Sequence, residues 1–227
     1  MAQILIIDDD ADLLRVCRVG LEALGNTVRS AETGMSGLAE AATRPPDVIV
    51  LDLGLPDVDG LDVCVRLRTW SQVPVIVLSA DSSEDRKVEA LEQGADDYMT
   101  KPFGMRELNA RLQVALRHSA SEEGDGPSEL VVGALRLDLV HREATVDGRA
   151  IDFAPKEFDF VAFLARHVGK VCTRRMILEN VWGVQYTKEL HYLKVYAYRI
   201  RRKLGDNDGV VLQSDPAVGY RLVAPVE

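Results

Sequence analysis

The chain has 227 residues, of which 47% are hydrophobic and 28% charged, and its formal net charge is −9. This composition is typical of a globular protein rather than a disordered one, and the length suffices for two domains of ordinary size. No apolar run approaches the roughly 18 residues needed to cross a bilayer, and the N-terminus lacks the basic flank of a signal peptide. We therefore expect a cytoplasmic protein with no membrane partner.

The charge is divided unevenly along the chain. Residues 1–120 carry 12 Lys+Arg against 20 Asp+Glu, whereas residues 130–227 carry 15 against 12. An acidic half joined to a mildly basic half indicates different partners for the two halves. The three cysteines are far apart, which predicts buried thiols rather than a zinc site or a disulfide framework.

The first half alternates between short apolar runs and amphipathic segments with helical period. The predicted strands cover residues 3–7, 27–30, 47–51, 74–78 and 96–99. The predicted helices cover residues 13–24, 35–42, 61–70, 84–93 and 105–118. Five successive βα units predict a doubly wound parallel sheet with helices on both faces.

Chemically distinctive side chains follow four of these strands. They are Asp8 and Asp9, then Asp52, Ser79 and Lys101. Because the carboxyl ends of parallel strands meet at one edge of such a sheet, we expect them to lie together. Three carboxylates would raise one another's pKa unless a cation such as Mg²⁺ joined them. A carboxylate nucleophile with a metal, an ammonium and a hydroxyl describes a site that accepts a phosphoryl group.

Each residue taken alone also has a plainer interpretation. Asp52 precedes GLPDVDG, a stretch that breaks a strand and starts a helix, so it could merely cap that helix. A lysine before a proline, such as Lys101, is most often a surface lysine. It is the coincidence of these residues at successive strand ends that favours the chemical interpretation.

The pattern IIDDD, VIVLDLGLPDVDG, PVIVLSA and GADDYMTKPF resembles the receiver domain of two-component response regulators over residues 3–118. The resemblance implies that Asp52 accepts a phosphoryl group from a sensor kinase. It implies that Mg²⁺ is held by Asp8, Asp9, Asp52 and the backbone carbonyl of Gly54. It further implies that Lys101 pairs with the phosphoryl group and that Ser79 and Tyr98 form a switch pair.

The same resemblance implies a two-fold dimer interface on the fourth helix, fifth strand and fifth helix of the receiver. Five charged residues are expected on this face: Lys87, Asp96, Asp97, Glu107 and Arg111. Lys87 would face Glu107 across the interface, and Asp97 would face Arg111. In a protein of unknown kind such charges usually form only a solvated surface. The resemblance predicts instead a homodimer when the protein is phosphorylated.

The segment 121–128 is small, acidic and rich in Gly and Ser, and we predict a linker there. The domains are then 1–120, a receiver, and 129–227, a winged helix-turn-helix effector with α+β character. Short alternating segments near 130–132, 135–139, 143–146 and 150–153 predict an antiparallel sheet. Helices are predicted from residue 155 to a stop at 169, at 174–182 and at 190–204, before a hairpin of 210–213 with 220–223.

The last helix, LHYLKVYAYRIRRKL, has one apolar and one basic face. Its predicted core positions are Leu193, Tyr196 or Ala197, Ile200 and Leu204. Seven residues are predicted to contact DNA: His191, Tyr192, Lys194, Tyr198, Arg199, Arg201 and Arg202. A basic helix face is often only solvated, but a helix-turn-helix around it makes the major groove its natural partner.

Residues 130–225 resemble the effector domain of OmpR/PhoB-type regulators, since VYAYRIRRKL and GYRL stand where that family has its recognition helix and wing. The segment SDPAVGY lacks the family's usual wing arginine, so we expect specificity to lie mainly on the helix. The acidic residue of this segment, together with AATRPPDVIVLDLGLPDVDG, LRTWSQVPVIVLSA and KPFGMRELNARL, most resembles the KdpE branch, which governs potassium-uptake operons. The implied partners are promoter DNA with direct-repeat half-sites, a KdpD-like sensor histidine kinase and RNA polymerase.

Two other classes of function remain open from the residues. A Mg²⁺-dependent phosphatase or phosphotransferase could use Asp52 as its nucleophile, but the sequence supplies no substrate pocket. A receiver-type adaptor would have no use for residues 130–227. We therefore expect a transcription regulator rather than an enzyme.

Overall fold

Five parallel strands occupy the centre of the first half of the chain in this computed structural model, which describes residues 1–116, 128–205 and 209–224. Their order in the sheet is β2-β1-β3-β4-β5. The chain divides after residue 120 into two compact units. No helix within the described ranges is long and apolar enough to cross a membrane.

The strands and helices of the first unit alternate without exception. The strands are β1 (Gln3–Ile7), β2 (Thr27–Ala31), β3 (Val48–Asp52), β4 (Val75–Ser79) and β5 (Asp97–Thr100). The helices are α1 (Ala11–Glu22), α2 (Gly34–Thr43), α3 (Gly60–Arg68), α4 (Glu84–Glu92) and α5 (Met105–Leu116). The predicted doubly wound fold of this half is confirmed.

The core of the first unit lies on both faces of the sheet. All five residues of β3 and of β4 are buried, as expected for central strands covered by helices on both sides. The register pairs Ile7 with Leu51, Asp52 with Leu78, and Ser79 with Thr100. The carboxyl ends of these strands therefore finish at the same level, and the residues that follow them share one edge.

The second unit begins with a four-stranded antiparallel sheet and continues into three helices and a hairpin. Its sheet is ordered β6 (Glu129–Val132), β7 (Leu135–Asp138), β8 (Glu143–Val146) and β9 (Arg149–Ile151). The helices are α6 (Pro155–Ala165), α7 (Arg174–Val181) and α8 (Leu190–Leu204). A second sheet is ordered β10 (Cys172–Thr173), β12 (Gly219–Val223) and β11 (Val211–Asp215). The predicted winged-helix arrangement is confirmed.

An aromatic cluster forms the core of the second unit. The Trp182 ring meets those of Phe160, Tyr192 and Tyr196 edge to face, with centroids 4.9–6.0 Å apart. Such edge-to-face pairs add stabilisation beyond the apolar area that they bury. Because these residues come from α6, α8 and the residue after α7, the cluster fixes the three helices against one another.

Three local features differ from the sequence predictions. The pair Cys172–Thr173 forms a short strand that pairs with β12, so the wing belongs to a three-stranded sheet rather than a hairpin alone. Helix α6 ends at Ala165, before the predicted stop at Gly169. A 3-10 turn at Val184–Tyr186 was not predicted. The predicted linker lies outside the described residues, apart from Ser128.

Candidate functional site

Three carboxylates meet at the carboxyl edge of the first sheet. Asp8 and Asp9 follow β1, Asp52 ends β3, and each offers an oxygen within 4.8 Å of the others. Asp8 is fully buried and Asp52 is 6% exposed, whereas Asp9 is exposed. A carboxylate cluster of this kind is costly to bury unless a cation compensates it. The predicted convergence of these residues is present in the structure.

Lys101 supplies a cation within this acidic cluster. Its Nζ donates to Oδ2 of Asp8 at 2.8 Å and lies 2.7 Å from Oδ1 of Asp52. Lys101 is not the surface lysine of the plainer interpretation, because only about a quarter of its side chain is exposed. Burial lowers the pKa of Lys101, but the bonds to Asp52 and Asp8 outweigh burial and raise it overall. The ammonium is therefore charged at neutral pH.

The acidic cluster fits a hard divalent cation. Burial raises the pKa of Asp8 despite the opposing contact with Lys101, so the carboxylate lacks full compensation from the protein. Carboxylate oxygens with an exposed side open to water are the donor set that Mg²⁺ prefers. Gly54 donates its N–H to Oδ2 of Asp52 at 2.9 Å, which places the start of the β3–α3 loop beside the cluster.

Ser79 and Tyr98 lie next to this cluster, on β4 and β5. Ser79 is buried at the end of its strand, and its Oγ accepts the amide of Asp81 at 3.1 Å. The Tyr98 ring is only 4% exposed, and its hydroxyl donates to the carbonyl of Asp81 at 2.7 Å. Both side chains thus contact the β4–α4 loop. Burial is the main cause that raises the pKa of Tyr98.

The predicted dimer face requires one correction. Asp96 is only 3% exposed, and its carboxylate accepts from Arg68 at 2.7 Å and from the amide of Val75 at 2.9 Å. Arg68 also donates to three backbone carbonyls, which ties the end of α3 to the loops before β4 and β5. Asp96 therefore stabilises the inside of the unit and does not belong to an exposed face.

The other four residues of this face lie on α4, β5 and α5. Arg111 donates to Asp97 at 2.8 Å and to Glu107 at 2.9 Å within the same chain. Lys87 is partly exposed on α4. Asp97 is only 5% exposed, nearly as buried as Asp96, and the structure places it in an intramolecular ion pair with Arg111. The expected pairing between two copies stays a prediction.

The basic face of α8 is narrower than the sequence predicted. Lys194, Tyr198, Arg201 and Arg202 are exposed, and Tyr198 retains 54% of its accessible surface. Positions four and seven to eight residues apart share one side of a helix, so these four form a continuous strip. We call them the exposed strip of α8.

Three of the seven predicted contact residues lie elsewhere. Tyr192 is buried in the aromatic cluster, between Trp182 and Tyr186. Arg199 is 10% exposed and pairs with the buried Glu157 at 2.8 Å. His191 is mostly buried, with Nε2 3.5 Å from Glu189. These positions correct the sequence interpretation, because their side chains turn into the unit rather than toward a ligand.

Glu157 is the polar residue that the sequence analysis missed. Its carboxylate is fully buried, forms an ion pair with Arg199 at 2.8 Å, and accepts hydrogen bonds from Lys203 at 2.5 Å and from the amide of Ala154 at 2.9 Å. A glutamate three residues into a helix that begins with Pro155 signals a capping role. That signal does not reveal the two cations of α8, which lie more than forty residues away.

The wing is connected to the exposed strip through Arg201. The guanidinium of Arg201 donates to the carbonyl of Leu212 at 3.0 Å and to Oγ of Ser214 at 2.6 Å. The wing turn contains Ala217 at a φ of 61°. The described wing turn between β11 and β12 carries no arginine, whereas Arg221 lies on β12 and donates to Gln213 of β11 at 3.1 Å.

Comparisons with known proteins agree for both units. The family model of the response regulator receiver domain matches residues 4–113, and that of the C-terminal domain of transcriptional regulatory proteins matches residues 148–222. The chain is 43% identical to the transcriptional regulatory protein KdpE of Mycobacterium tuberculosis H37Rv, covering 99% of this chain and all of the relative. It is 44% identical to the KDP operon transcriptional regulatory protein KdpE of Escherichia coli K12, covering 98% and 100%.

Solved structures resemble the whole chain. The response regulator DrrB of Thermotoga maritima, described as an OmpR/PhoB homolog, is 28% identical with a TM-score of 0.53, covering 99% of this chain and all of that one. A single-residue mutant of RitR has a TM-score of 0.78 over the same coverage at 23% identity, which supports the fold alone.

Proposed function

Since this chain belongs to the two-component response regulators of the OmpR/PhoB type, which are transcriptional regulators with a DNA-binding domain, we propose that phosphorylation of Asp52 controls its binding to promoter DNA. The observation that carries this proposal is the contact of Lys101 with both Asp8 and Asp52 in a chain that also presents the exposed strip of α8. One protein then contains both a site suited to accept a phosphoryl group and a surface suited to bind DNA.

In the proposed reaction, a carboxylate oxygen of Asp52 attacks the phosphorus of a phosphohistidine on the sensor kinase. The new P–O bond forms as the P–N bond breaks, and the histidine nitrogen takes a proton. Mg²⁺ held by Asp8, Asp9, Asp52 and the Gly54 carbonyl would neutralise phosphoryl charge. The ammonium of Lys101, already 2.7 Å from Asp52, would transfer one of its bonds to the phosphoryl oxygens.

Phosphorylation would reach the surface through Ser79 and Tyr98. The modification adds about −1.5 to −2 charges and three acceptor oxygens, which attract the nearest hydroxyl donor. If Ser79 turned to meet them, it would give up the amide of Asp81, the residue whose carbonyl holds Tyr98. A change at Asp52 would thereby alter the β4–α4 loop and the position of α4.

We propose that phosphorylated copies dimerise through α4, β5 and α5. The proposed contact residues are Lys87, Asp97, Glu107 and Arg111, without Asp96. The intramolecular pairs of Arg111 with Asp97 and Glu107 show that complementary charges are already close on this face. Because Asp97 is only 5% exposed, Arg111 would have to give up its intramolecular pair for a second copy to reach this carboxylate.

The DNA contact is proposed to lie in the major groove along the exposed strip of α8. Arginine and lysine there can bond guanine or phosphate, and Tyr198 can bond phosphate through its hydroxyl. A dimer presents two such helices, so the operator would contain two half-sites about one helical turn apart. Direct-repeat half-sites would require the predicted linker, residues 121–128, to break the two-fold symmetry of the receivers.

The regulated promoter is proposed to belong to a potassium-transport operon. The support is the full-length similarity to two KdpE proteins, one of which is named for the KDP operon. A KdpD-like histidine kinase would be the phosphoryl donor, and RNA polymerase would be the partner at the promoter. All of these partners would be met in the cytoplasm.

The site of phosphorylation can be tested directly. The full chain is incubated with Mg²⁺ and a small phosphodonor, and the modified peptide is mapped by mass spectrometry. We expect one phosphoryl group on Asp52 and none in the Asp52→Asn variant. The Asp62→Asn variant is the matched control, because Asp62 is an exposed acid on α3. Modification that persists unchanged in Asp52→Asn would refute the assignment.

A further inference from the structure

The β3–α3 loop is bonded to the N-terminus of α2 by one side chain. The carboxylate of Asp57 accepts the amide of Gly34 at 2.8 Å and the amide of Met35 at 2.9 Å. These are among the first N–H groups of α2, which have no partner inside the helix. Thr33 caps the same helix by accepting the amide of Ser36. The helix thus has its own cap, and Asp57 is a second one that comes from another loop.

Side-chain packing reinforces this attachment. A Cβ on Gly34 would lie 2.5 Å from Cγ1 of Val58 and 2.7 Å from Cγ2 of Val63. Only glycine permits the loop to approach the start of α2 so closely. Asp57 and Val58 therefore contact α2 at adjacent points, one through hydrogen bonds and the other through direct packing.

The far end of the loop is fixed as well. Gly60 donates its N–H to the carbonyl of Leu53 at 3.1 Å, and a Cβ on Gly60 would overlap the backbone of Asp52 and Leu53. The loop is thus closed at its base and attached to α2 near its middle. In the sequence, Gly54 lies between Leu53, which accepts from Gly60, and Asp57, which accepts from α2. The N–H of Gly54 donates to Oδ2 of Asp52.

The charge state of Asp57 suits this role. The amide of Met35, followed by that of Gly34, lowers the pKa of Asp57, so the carboxylate is ionised at neutral pH and accepts both bonds. An anion at the N-terminus of a helix is also favoured by the helix dipole. An asparagine here could accept with only one atom, and its NH₂ group would face an amide N–H.

We propose that Asp57 is a positioning residue of the phosphorylation site, which holds the β3–α3 loop against α2 so that Gly54 stays beside Asp52. The inference rests on the proposed function, since it concerns the metal and the phosphoryl transfer at that site. Asp57 itself does not touch the reacting atoms. Its effect passes through the loop to the Gly54 backbone, which is one of the proposed ligands of Mg²⁺.

The test compares Asp57→Asn and Gly34→Ala with the wild type and with Asp62→Asn. Asp62→Asn makes the same chemical change on an exposed residue of α3. Mg²⁺ affinity of the full chain is measured by calorimetry without any phosphodonor. Hydrogen exchange at the amides of residues 34 and 35 is measured in parallel. Thermal unfolding without metal identifies a temperature at which each variant is folded.

We expect Asp57→Asn and Gly34→Ala each to weaken Mg²⁺ binding by about tenfold, the size of effect typical of residues that orient a metal ligand. Exchange at residues 34 and 35 should accelerate in Asp57→Asn, and Asp62→Asn should behave as the wild type. The phosphorylation rate of Asp57→Asn should recover at saturating Mg²⁺. A residue with a merely structural role would change the unfolding temperature without changing Mg²⁺ affinity.

Different outcomes would refute the positioning role of Asp57 and the proposed function. Wild-type Mg²⁺ binding together with an Asp57→Asn affinity within twofold of it would refute the inference alone. If Asp57→Asn did not fold, an unchanged Mg²⁺ affinity in Gly34→Ala would refute it equally. A wild-type protein that neither binds Mg²⁺ nor accepts a phosphoryl group would refute the proposed function, and the inference with it.

Discussion

Neutralising Glu157 should destabilise the DNA-binding unit strongly. Glu157 is fully buried, and its carboxylate holds Arg199 at 2.8 Å and Lys203 at 2.5 Å. The substitution Glu157→Gln keeps the size of the side chain and removes its charge. Two cations of α8 then lose their counter-charge, and Arg199, which is 10% exposed, has little access to water.

The magnitude follows from the burial of these partners. Removing one member of a buried ion pair costs about 3–5 kcal/mol. We take the lower end, because Arg199 keeps its position 5.0 Å over the Tyr196 ring and Lys203 keeps its bond to the carbonyl of Asp152. A loss of about 3 kcal/mol lowers the melting temperature of a unit of this size by roughly 12–24 °C.

The assay uses the two tryptophans, one in each unit. Trp182 is buried in the aromatic cluster, whereas Trp70 is half exposed after α3. In a Trp70→Phe background, fluorescence during urea unfolding reports on the second unit alone. The matched control is Glu179→Gln, which breaks an exposed pair with Arg175 on α7 and should cost less than about 1 kcal/mol. A loss in Glu157→Gln no larger than that of the control would show that the Glu157 carboxylate does not stabilise the unit through Arg199 and Lys203.

The remaining predictions concern the dimer face, the exposed strip of α8 and the cysteines. Arg111→Glu would place like charges together on α5 and beside Asp97, so it should abolish phosphorylation-dependent dimerisation; sedimentation unchanged from the wild type would count against it. Lys194→Ala and Arg202→Ala should each reduce the slope of log affinity for DNA against log salt by about 1, if each contacts one phosphate. Equal slopes in variant and wild type would exclude those contacts. Burial raises the pKa of Cys17 to about 11, and all three cysteines are buried, so a thiol reagent at pH 8 should label the native protein slowly. Labelling should reach three thiols in denaturant; rapid native labelling would contradict the burial.

The sequence was sufficient to predict the fold and the residues that meet at the strand ends. In the sequence, each buried parallel strand ends where an apolar run stops abruptly. The alternation of strands and helices then predicts that these strand ends lie at one edge of the sheet. Asp8, Asp52 and Lys101 therefore come together in the structure as predicted. The sequence did not reveal that Lys101 would bond both carboxylates directly.

The errors arose where a charged residue finds its partner in a distant segment. Asp96 and Asp97 are neighbours in the chain, yet one meets Arg68 and the other Arg111. Arg199 looks like Arg202 in the helical pattern, but only Arg199 reaches the buried carboxylate of Glu157. Helical period identifies a basic face, whereas the tertiary packing decides which of its cations remain available to a ligand.

The burial of Tyr192 could not be predicted from the sequence for a different reason. Helical position places it at the edge of the apolar face, where an aromatic side chain can turn either way. The Tyr192 ring packs inward against the rings of Trp182 and Tyr186, with centroids 5.9 and 5.8 Å away. That choice depends on aromatic residues outside the helix, so the pattern within the helix cannot predict it.

Under the proposed function, phosphorylation of Asp52 controls DNA binding by α8. The most direct measurement is the affinity of the full chain for a promoter fragment at fixed salt, with and without a phosphodonor, in wild type and in Asp52→Asn. We expect tighter binding by the phosphorylated wild type, because a dimer engages two half-sites, and unchanged weak binding by Asp52→Asn. An equal increase in affinity in both proteins would contradict it.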